Sequence, residues 1–169
     1  MTARREVAKV TNNYVVIDDG ILGTTCARVG CMPSKVLIQV ANDFHRRHSI
    51  LQEGIHGAEH LTVNIPEAME HVRALRDRFV RAVMGGMESW RETHLLRKRA
   101  RFVDHHTLDL GDERVRAERI IIATGSTPII PEAWQPFRHR LIDTNSFFEQ
   151  KDLPRRIAVI GLGVIGLEL

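Results

Sequence analysis

The residues that could carry chemistry are the two cysteines, Cys26 and Cys31, which are separated by four residues. Pro33 suits the first turn of a helix, and apolar residues recur after it at helical spacing: Val36, Leu37, Val40, Ala41 and Phe44. Cys31 is therefore expected just before a helix N-terminus, where backbone N–H groups and the helix dipole favour a thiolate. Gly30 would help the intervening turn to bring Cys26 back as a disulfide partner. Because so small a ring stabilises a fold by only about 2 kcal/mol, we interpret the pair as a redox couple.

Two other interpretations of the cysteines stay open from their spacing. Two thiols in a chain with so few cysteines are commonly reduced and unrelated to each other. A structural metal site usually takes four ligands, and no histidine lies close to the pair in sequence. No metal site is therefore predicted.

The whole string around the cysteines, GTTCARVGCMPSK from Gly23 to Lys35, is more informative than their spacing. It resembles the active-site signature of the class I flavin disulfide reductases, usually GGTC-x4-GC-x-PxK. The chain departs from that signature at Thr24, where the family usually has a second glycine and the backbone approaches the flavin closely. The family includes dihydrolipoamide dehydrogenases, mercuric reductases and glutathione reductases, and the Pro-Ser-Lys ending is more similar to the first two.

Composition excludes several classes of function. The 24 basic and 21 acidic residues leave a formal charge of +3 that is spread along the chain, so nucleic-acid binding is not indicated. The basic runs at 45–48 and 97–99 are typical of solvated helix faces, with too few aromatic residues for base stacking. No apolar run is long enough to span a membrane, and no secretion signal is visible. A cytoplasmic location is predicted.

Elements near the N-terminus predict half of a nucleotide-binding unit. Residues 2–11 read as the end of a helix, and Tyr14–Ile17 as a strand of a buried parallel sheet. The carboxylate of Asp18 at the end of such a strand could take ribose hydroxyls, although a solvated aspartate in the 18–20 turn is the alternative. The resemblance implies that this ribose belongs to the adenosine of FAD.

Downstream, the sequence predicts a helix over 33–48 and a second long helix interrupted at Gly85–Gly86. Alternating residues over 100–118 predict a three-strand antiparallel meander, and residues 119–122 predict a buried strand that ends in Ala-Thr-Gly. Leu141–Asp143 is expected to be extended, with Thr144 or Asn145 capping a short helix over 146–150. The resemblance implies that the following residues contact FAD: Asp18, Gly23, Thr24, Thr25, Lys35, Ala100, Ala123, Thr124 and Gly125.

The C-terminal residues predict a second nucleotide site. A strand over 156–160 leads into Gly161-x-Gly163-x-x-Gly166 and the start of a helix, and such glycines let backbone N–H groups reach a pyrophosphate. This segment resembles the NAD(P)H-binding fingerprint of the same family. The resemblance also implies that Glu168 pairs with Lys35 to poise the flavin; a solvated glutamate, favoured there by the dipole, is the alternative.

Together these patterns predict an α/β fold. Residues 1–153 would form a partial Rossmann-like FAD-binding domain that contains a parallel sheet, helices, the antiparallel three-strand meander and the redox disulfide. A linker at Leu153-Pro154 would lead into the first strand, turn and helix start of an NAD(P)-binding domain over 154–169. The first FAD strand with its glycine loop, most of the NAD(P) domain and the dimerisation domain are expected to lie outside this chain.

The resemblance implies a flavin-dependent disulfide oxidoreductase, with dihydrolipoamide and NAD+ converted to lipoamide and NADH through FAD and a Cys26–Cys31 disulfide. Cys31 would face the flavin and Cys26 would exchange with the substrate. The implied partners are a small-molecule disulfide or dithiol, such as the lipoamide of a 2-oxoacid dehydrogenase complex, and a second subunit in a homodimer. The chain alone is expected to be inactive and to bind FAD poorly. A flavin-free thiol redox module and a truncated product without function are the alternatives.

Overall fold

The structure, a computed structural model, describes residues 2–169. Its helices are α1 (Thr2–Val7), α2 (Thr25–Val29), α3 (Cys31–His45), α4 (Ile65–Gly85), α5 (Glu88–His94), α6 (Thr144–Phe147) and α7 (Val164–Glu168). Its strands are β1 (Val16–Ile17), β2 (Leu95–Leu96), β3 (Arg101–Phe102), β4 (Thr107–Asp109) and β5 (Arg114–Arg116). Short 3₁₀ helices cover Arg46–His48, Ile50–Glu53, Ala58–His60 and Glu132–Arg140. The chain divides into two compact units, one made of residues up to Thr24 with Ala82–Ser126 and the other of Thr25–Arg81 with Thr127–Leu169.

The first unit contains a parallel strand pair. β1 pairs with β2 in the register Val16↔Leu95 and Ile17↔Leu96, and the Asp18 N–H donates to the Leu96 carbonyl at 3.1 Å. The predicted strand over Tyr14–Ile17 is thus confirmed in its second half. β2 was not predicted, because two leucines directly after a helix show no alternation that would mark a strand.

The same unit contains the predicted meander. β3, β4 and β5 form an antiparallel sheet in that order, with Phe102 opposite Leu108 and Val115 also opposite Leu108. In the first turn Asp104 Oδ1 accepts from the His106 N–H at 2.7 Å. In the second turn Gly111 has φ 96°, a left-handed conformation that glycine adopts without strain.

The second unit is built on helices. Val29 of α2, Val72 of α4 and Phe148 just after α6 form its buried core, with Val36, Leu37 and Phe147 packed against it. The α6 helix begins at Thr144, two residues before the predicted range of 146–150, and its cap is Asp143 rather than Thr144 or Asn145. The Asp143 carboxylate accepts from the Ser146 N–H at 3.0 Å, and the Asp143 N–H donates to Ser146 Oγ at 3.1 Å. This reciprocal capping box leaves Thr144 as the first helical residue.

Two predicted strands do not form. Residues 119–122 and 156–160 are outside any strand, and Ile121, Ile122 and Ile160 are 61%, 69% and 67% exposed. The prediction of strands at these two places is therefore wrong: apolar, β-branched residues favour an extended backbone, but a parallel strand needs neighbouring strands to complete its hydrogen bonds. Within residues 2–169 no strand pairs with either segment.

The α/β class is confirmed, since a parallel pair and an antiparallel three-strand sheet occur together with helices. None of the helices that the structure describes has the length and apolar character needed to cross a membrane. The division of the chain at residue 153 stays a prediction.

Candidate active site around the cysteine pair

The two cysteines lie at the starts of consecutive helices. Cys26 is the second residue of α2, and Cys31 is the first of α3, two residues earlier than the predicted helix start. A Cβ atom on Gly30 would lie 3.0 Å from the Thr25 carbonyl oxygen and 3.1 Å from Cys26 Cα. Glycine therefore allows the close approach of backbone that returns the chain towards Cys26, and the buried Val29 anchors α2 in the core.

Both cysteines are exposed free thiols. The pKa of the Cys26 thiol is raised, first by its partial burial and then by the hydrogen bond and the charge of the Cys31 side chain. Two thiols in contact resist carrying two negative charges at the same time. The pair is therefore close enough for the two sulfurs to influence each other, as a disulfide couple requires.

The first turn of α3 is joined to α7 by a carboxylate. Glu168 Oε1 accepts from Lys35 Nζ at 2.5 Å and also from Ser34 Oγ. Ser34 is buried, and its Oγ lies 3.1 Å from the Cys31 carbonyl oxygen as well. The structure thus contains the Lys35–Glu168 contact that the resemblance implied. It adds Ser34, which sequence reasoning missed because a serine in a first helical turn is common without any further role.

The Glu168 contacts predict a dependence on pH. Hydrogen bonds from Lys35 and then Ser34, together with the Lys35 charge, lower the pKa of the Glu168 carboxyl. Because the folded pKa lies below the ordinary value, the attachment of α7 is complete at neutral pH and is lost as pH falls through the lowered pKa. A carbon-13 NMR titration of the Glu168 carboxyl should show a midpoint below that of an ordinary glutamate.

In Lys35→Met the titration midpoint of the Glu168 carboxyl should move back towards that of an ordinary glutamate. Lys9→Met is the matched control, since Lys9 pairs with Glu6 in the other unit. A Glu168 midpoint that is ordinary in the wild type, or equal in the wild type and Lys35→Met, contradicts the prediction.

The glycine-rich turn before α7 forms although the strand before it does not. Gly161 has φ 119°, and Gly163 caps α7. A Cβ atom on Gly166 would collide with the Gly161 carbonyl oxygen, while nothing lies within 4 Å of a Cβ on Gly161 or Gly163. The third glycine therefore permits the tight turn, and the first two leave the backbone open for a pyrophosphate, which fits the predicted NAD(P) contact.

Asp18 lies at the carboxyl end of β1, in the first unit. Its Oδ1 accepts from the Gly20 N–H at 2.7 Å and lies 3.6 Å from Arg97 Nη1. The prediction of a helix face over 97–99 is wrong, because Arg97 follows β2 outside any helix. Lys98 Nζ is likewise paired, with Asp112 at 2.8 Å and Glu113 at 2.5 Å. A carboxylate at this edge of a parallel pair fits the ribose of a nucleotide.

The remaining predicted FAD contacts are distributed over the two units. Gly23 and Thr24 end the first segment of the first unit, and Thr25 begins α2 in the second. Ala100 directly precedes β3, and Ala123–Gly125 are exposed outside any strand. The binding roles of these residues stay predictions.

Thr24, which stands where the family signature has a glycine, has a left-handed backbone conformation. Its φ of 66° is left-handed, which costs a residue with a Cβ about 1–2 kcal/mol. Thr24→Gly should remove this strain, offset by about 0.5–1 kcal/mol of extra unfolded-state entropy. We expect the free energy of unfolding in urea to rise by about 0.5–1 kcal/mol. Thr25→Gly is the control and should lower the free energy of unfolding. A loss of stability in both variants contradicts the prediction.

A cavity of about 490 Å³ lies beside Cys31 in the second unit. Its walls come from α3 and α4 and are largely apolar, with Lys35 and His71 among the polar residues; the apolar lining includes Met32, Val36, Val40, Leu75 and Phe79. A volume of this size lies in the range of small-molecule sites. The cysteine pair is therefore next to space that a ligand could occupy.

The chain is similar to a known family and to several curated proteins. The sequence model of a family described as pyridine nucleotide-disulphide oxidoreductase matches residues 1–169. A dihydrolipoyl dehydrogenase of Geobacillus stearothermophilus is 30% identical over 169 residues, which cover 96% of this chain and 35% of that protein. A mercuric reductase of Lysinibacillus sphaericus is 29% identical over 157 residues, which cover 91% of this chain and 28% of that protein. The glutathione reductase of Nostoc sp. is 29% identical over 179 residues, which cover 99% of this chain and 36% of that protein.

A solved structure shares the fold. The Cu(II) complex of the HOCl-induced flavoprotein disulfide reductase RclA from Escherichia coli superimposes with a TM-score of 0.74 at 19% identity, over 99% of this chain and 35% of that one. The chain thus spans about a third of the length of the proteins that it matches.

Proposed function

We propose that this chain, which belongs to the pyridine nucleotide-disulphide oxidoreductase family, is the thiol-bearing part of an enzyme that oxidises dihydrolipoamide with NAD+. FAD-dependent disulfide oxidation and reduction is the activity of the family. The Pro-Ser-Lys ending after Cys31 favours a dihydrolipoamide dehydrogenase or a mercuric reductase over a glutathione reductase. The finer choice of dihydrolipoamide is supported by the relatives named dihydrolipoyl dehydrogenase. The observation that carries the proposal is the contact between the side chains of Cys26 and Cys31 at the starts of two helices.

The thiol–disulfide exchange needs only the two cysteines and the two thiols of the substrate. A substrate thiolate attacks Cys26 Sγ of the disulfide, a mixed disulfide forms, and Cys31 leaves as a thiolate. The second substrate thiol then attacks the substrate sulfur of the mixed disulfide, and Cys26 leaves and takes up a proton. The substrate is oxidised to a cyclic disulfide, and Cys26 and Cys31 are reduced by two electrons.

Several residues of the chain support this exchange. The raised pKa of Cys26 favours the protonated thiol once the exchange has released it. Gly30 keeps the two cysteines within reach of each other, and the largely apolar cavity beside Cys31 offers space for an apolar part of the substrate. Glu168, held by Lys35 and Ser34, fixes the start of α3, on which Cys31 lies.

The residues fit the cofactors that the family uses. FAD, when bound, supplies the two-electron acceptor that returns the thiols to a disulfide, with NAD+ as the final acceptor. Asp18 would hold the adenosine ribose of FAD, and the turn at Gly161, Gly163 and Gly166 would hold the pyrophosphate of NAD(P). The proposed partners are the lipoamide of a 2-oxoacid dehydrogenase complex and a second subunit in a homodimer, and the proposed location is the cytoplasm.

The experiment measures thiol content in glutathione buffers of graded redox potential, using the full chain and its Cys26→Ser and Cys31→Ser variants. The wild type should lose two thiols in one reversible transition, while each variant should form only a mixed disulfide with glutathione. Mixed disulfides on both cysteines of the wild type, with no internal disulfide, would overturn the proposed redox couple.

FAD added to the same samples separates the two classes of redox protein. Saturable quenching of flavin fluorescence, even if weak, supports the flavoenzyme. A reversible disulfide in a protein that never quenches FAD supports a flavin-free thiol module instead.

A further inference from the structure

The strand pair of the first unit places a charged residue at each of its two carboxyl ends. Because β1 and β2 are parallel, their carboxyl ends lie at the same edge, and Asp18 and Arg97 are the residues that directly follow them. Open parallel sheets bind ligands outside this edge. Arg97 thus lies where a nucleotide held by Asp18 would be bound.

The contacts of Arg97 close the turn that follows β1. Arg97 Nη2 donates to the Gly20 carbonyl oxygen at 2.5 Å, and Nη1 lies 3.6 Å from Asp18 Oδ1. The Gly20 N–H donates to the same Oδ1 at 2.7 Å. The Gly20 N–H and Arg97 Nη1 thus both contact the same carboxylate oxygen of Asp18, Oδ1.

A guanidinium is suited to this position and an ammonium is not. Two N–H groups on a rigid plane reach two acceptors at once, whereas a lysine presents a single charged centre. The side chains of Asp18 and Arg97 are both 45% exposed, so their ion pair contributes little to global stability. Its consequence is local, because it fixes the direction of the carboxylate.

We propose that Arg97 is a positioning residue for the ribose of an adenosine nucleotide. It fixes the 18–20 turn so that the Asp18 carboxylate accepts hydrogen bonds from the 2′- and 3′-hydroxyl groups. The inference rests on the proposed function, in which Asp18 holds the adenosine ribose of FAD. Arg97 acts through Asp18, because its Nη2 donates to the Gly20 carbonyl oxygen and its Nη1 forms the ion pair with Asp18.

The test compares AMP with 2′,3′-dideoxy-AMP by NMR titration of the isotope-labelled full chain at millimolar nucleotide. The ratio of the two affinities isolates the hydroxyl groups, since attraction to the phosphate is common to both ligands. The wild type should prefer AMP, and Arg97→Ala should reduce this preference about fivefold. Arg97→Lys should recover only part of it.

Two further variants complete the test. Asp18→Asn should abolish the preference, and adding Arg97→Ala to it should cause no further loss. Arg99→Ala removes the same charge two residues away and should leave the preference unchanged. If the ratio of the affinities for AMP and 2′,3′-dideoxy-AMP is the same in Arg97→Ala as in the wild type, even with both affinities lowered, the inference about Arg97 is overturned. The proposed function is not affected by that result. Absence of binding to the wild type overturns it together with the FAD site of the proposed function, whereas the test of the Cys26–Cys31 disulfide is independent of both.

Discussion

Phe148→Ala is expected to lower the free energy of unfolding by about 3–5 kcal/mol. Phe148 is 1% exposed and forms the buried core of the second unit with Val29 and Val72. Its ring also meets that of Phe147 edge to face, with centroids 5.1 Å apart. Truncation leaves a cavity between α2, α4 and α6, and the surrounding helices can fill it only in part.

The loss of packing in Phe148→Ala should also affect the position of the cysteine pair. Val29 is the last residue of α2 and Cys26 is its second, so loosening the packing of Val29 releases the helix that carries Cys26. Urea unfolding followed by circular dichroism measures the stability, with Phe137→Ala as the control. Phe137 is 57% exposed, and its removal should change stability by no more than about 0.5 kcal/mol. Equal losses in the two variants would contradict the assignment of the core.

Gly30→Ala is expected to disturb the cysteine pair directly. The added Cβ would meet the Thr25 carbonyl oxygen at 3.0 Å and Cys26 Cα at 3.1 Å, and both are backbone atoms that cannot rotate away. Relieving this contact moves Cys26 away from Cys31 and costs about 1–3 kcal/mol. The equilibrium constant for the internal disulfide should therefore fall about tenfold or more, since 1.4 kcal/mol corresponds to a factor of ten.

Thiol content in glutathione buffers measures this constant. Gly85→Ala is the matched control, because nothing lies within 4 Å of a Cβ at that position and Gly85, the last residue of α4, belongs to the other unit. It should leave the disulfide equilibrium unchanged. If Gly30→Ala behaves like Gly85→Ala, the close approach at Gly30 does not control the pairing of the thiols.

Much of the local structure was predictable from short stretches of sequence. The apolar residues after Pro33 predicted α3, the alternation over 100–118 predicted the meander, and the glycine spacing at 161–166 predicted the turn before α7. Each of these signals acts between residues that are close along the chain. The signature around the cysteines predicted the family, because residue types at fixed spacing carry that information without coordinates.

Contacts between distant residues required the tertiary structure. Sequence reasoning placed Arg97 on a helix face and gave Ser34 no role, yet Arg97 contacts Asp18 and Gly20, and Ser34 contacts Glu168. β2 exists because it pairs with β1, whereas the strands predicted over 119–122 and 156–160 are absent because no strand within residues 2–169 pairs with them. The amino-acid types along the chain determine which segments can turn, form helices or carry a thiol. Packing decides which strands and charged groups find a partner, because a hydrogen bond or an ion pair depends on a second group that sequence periodicity does not locate.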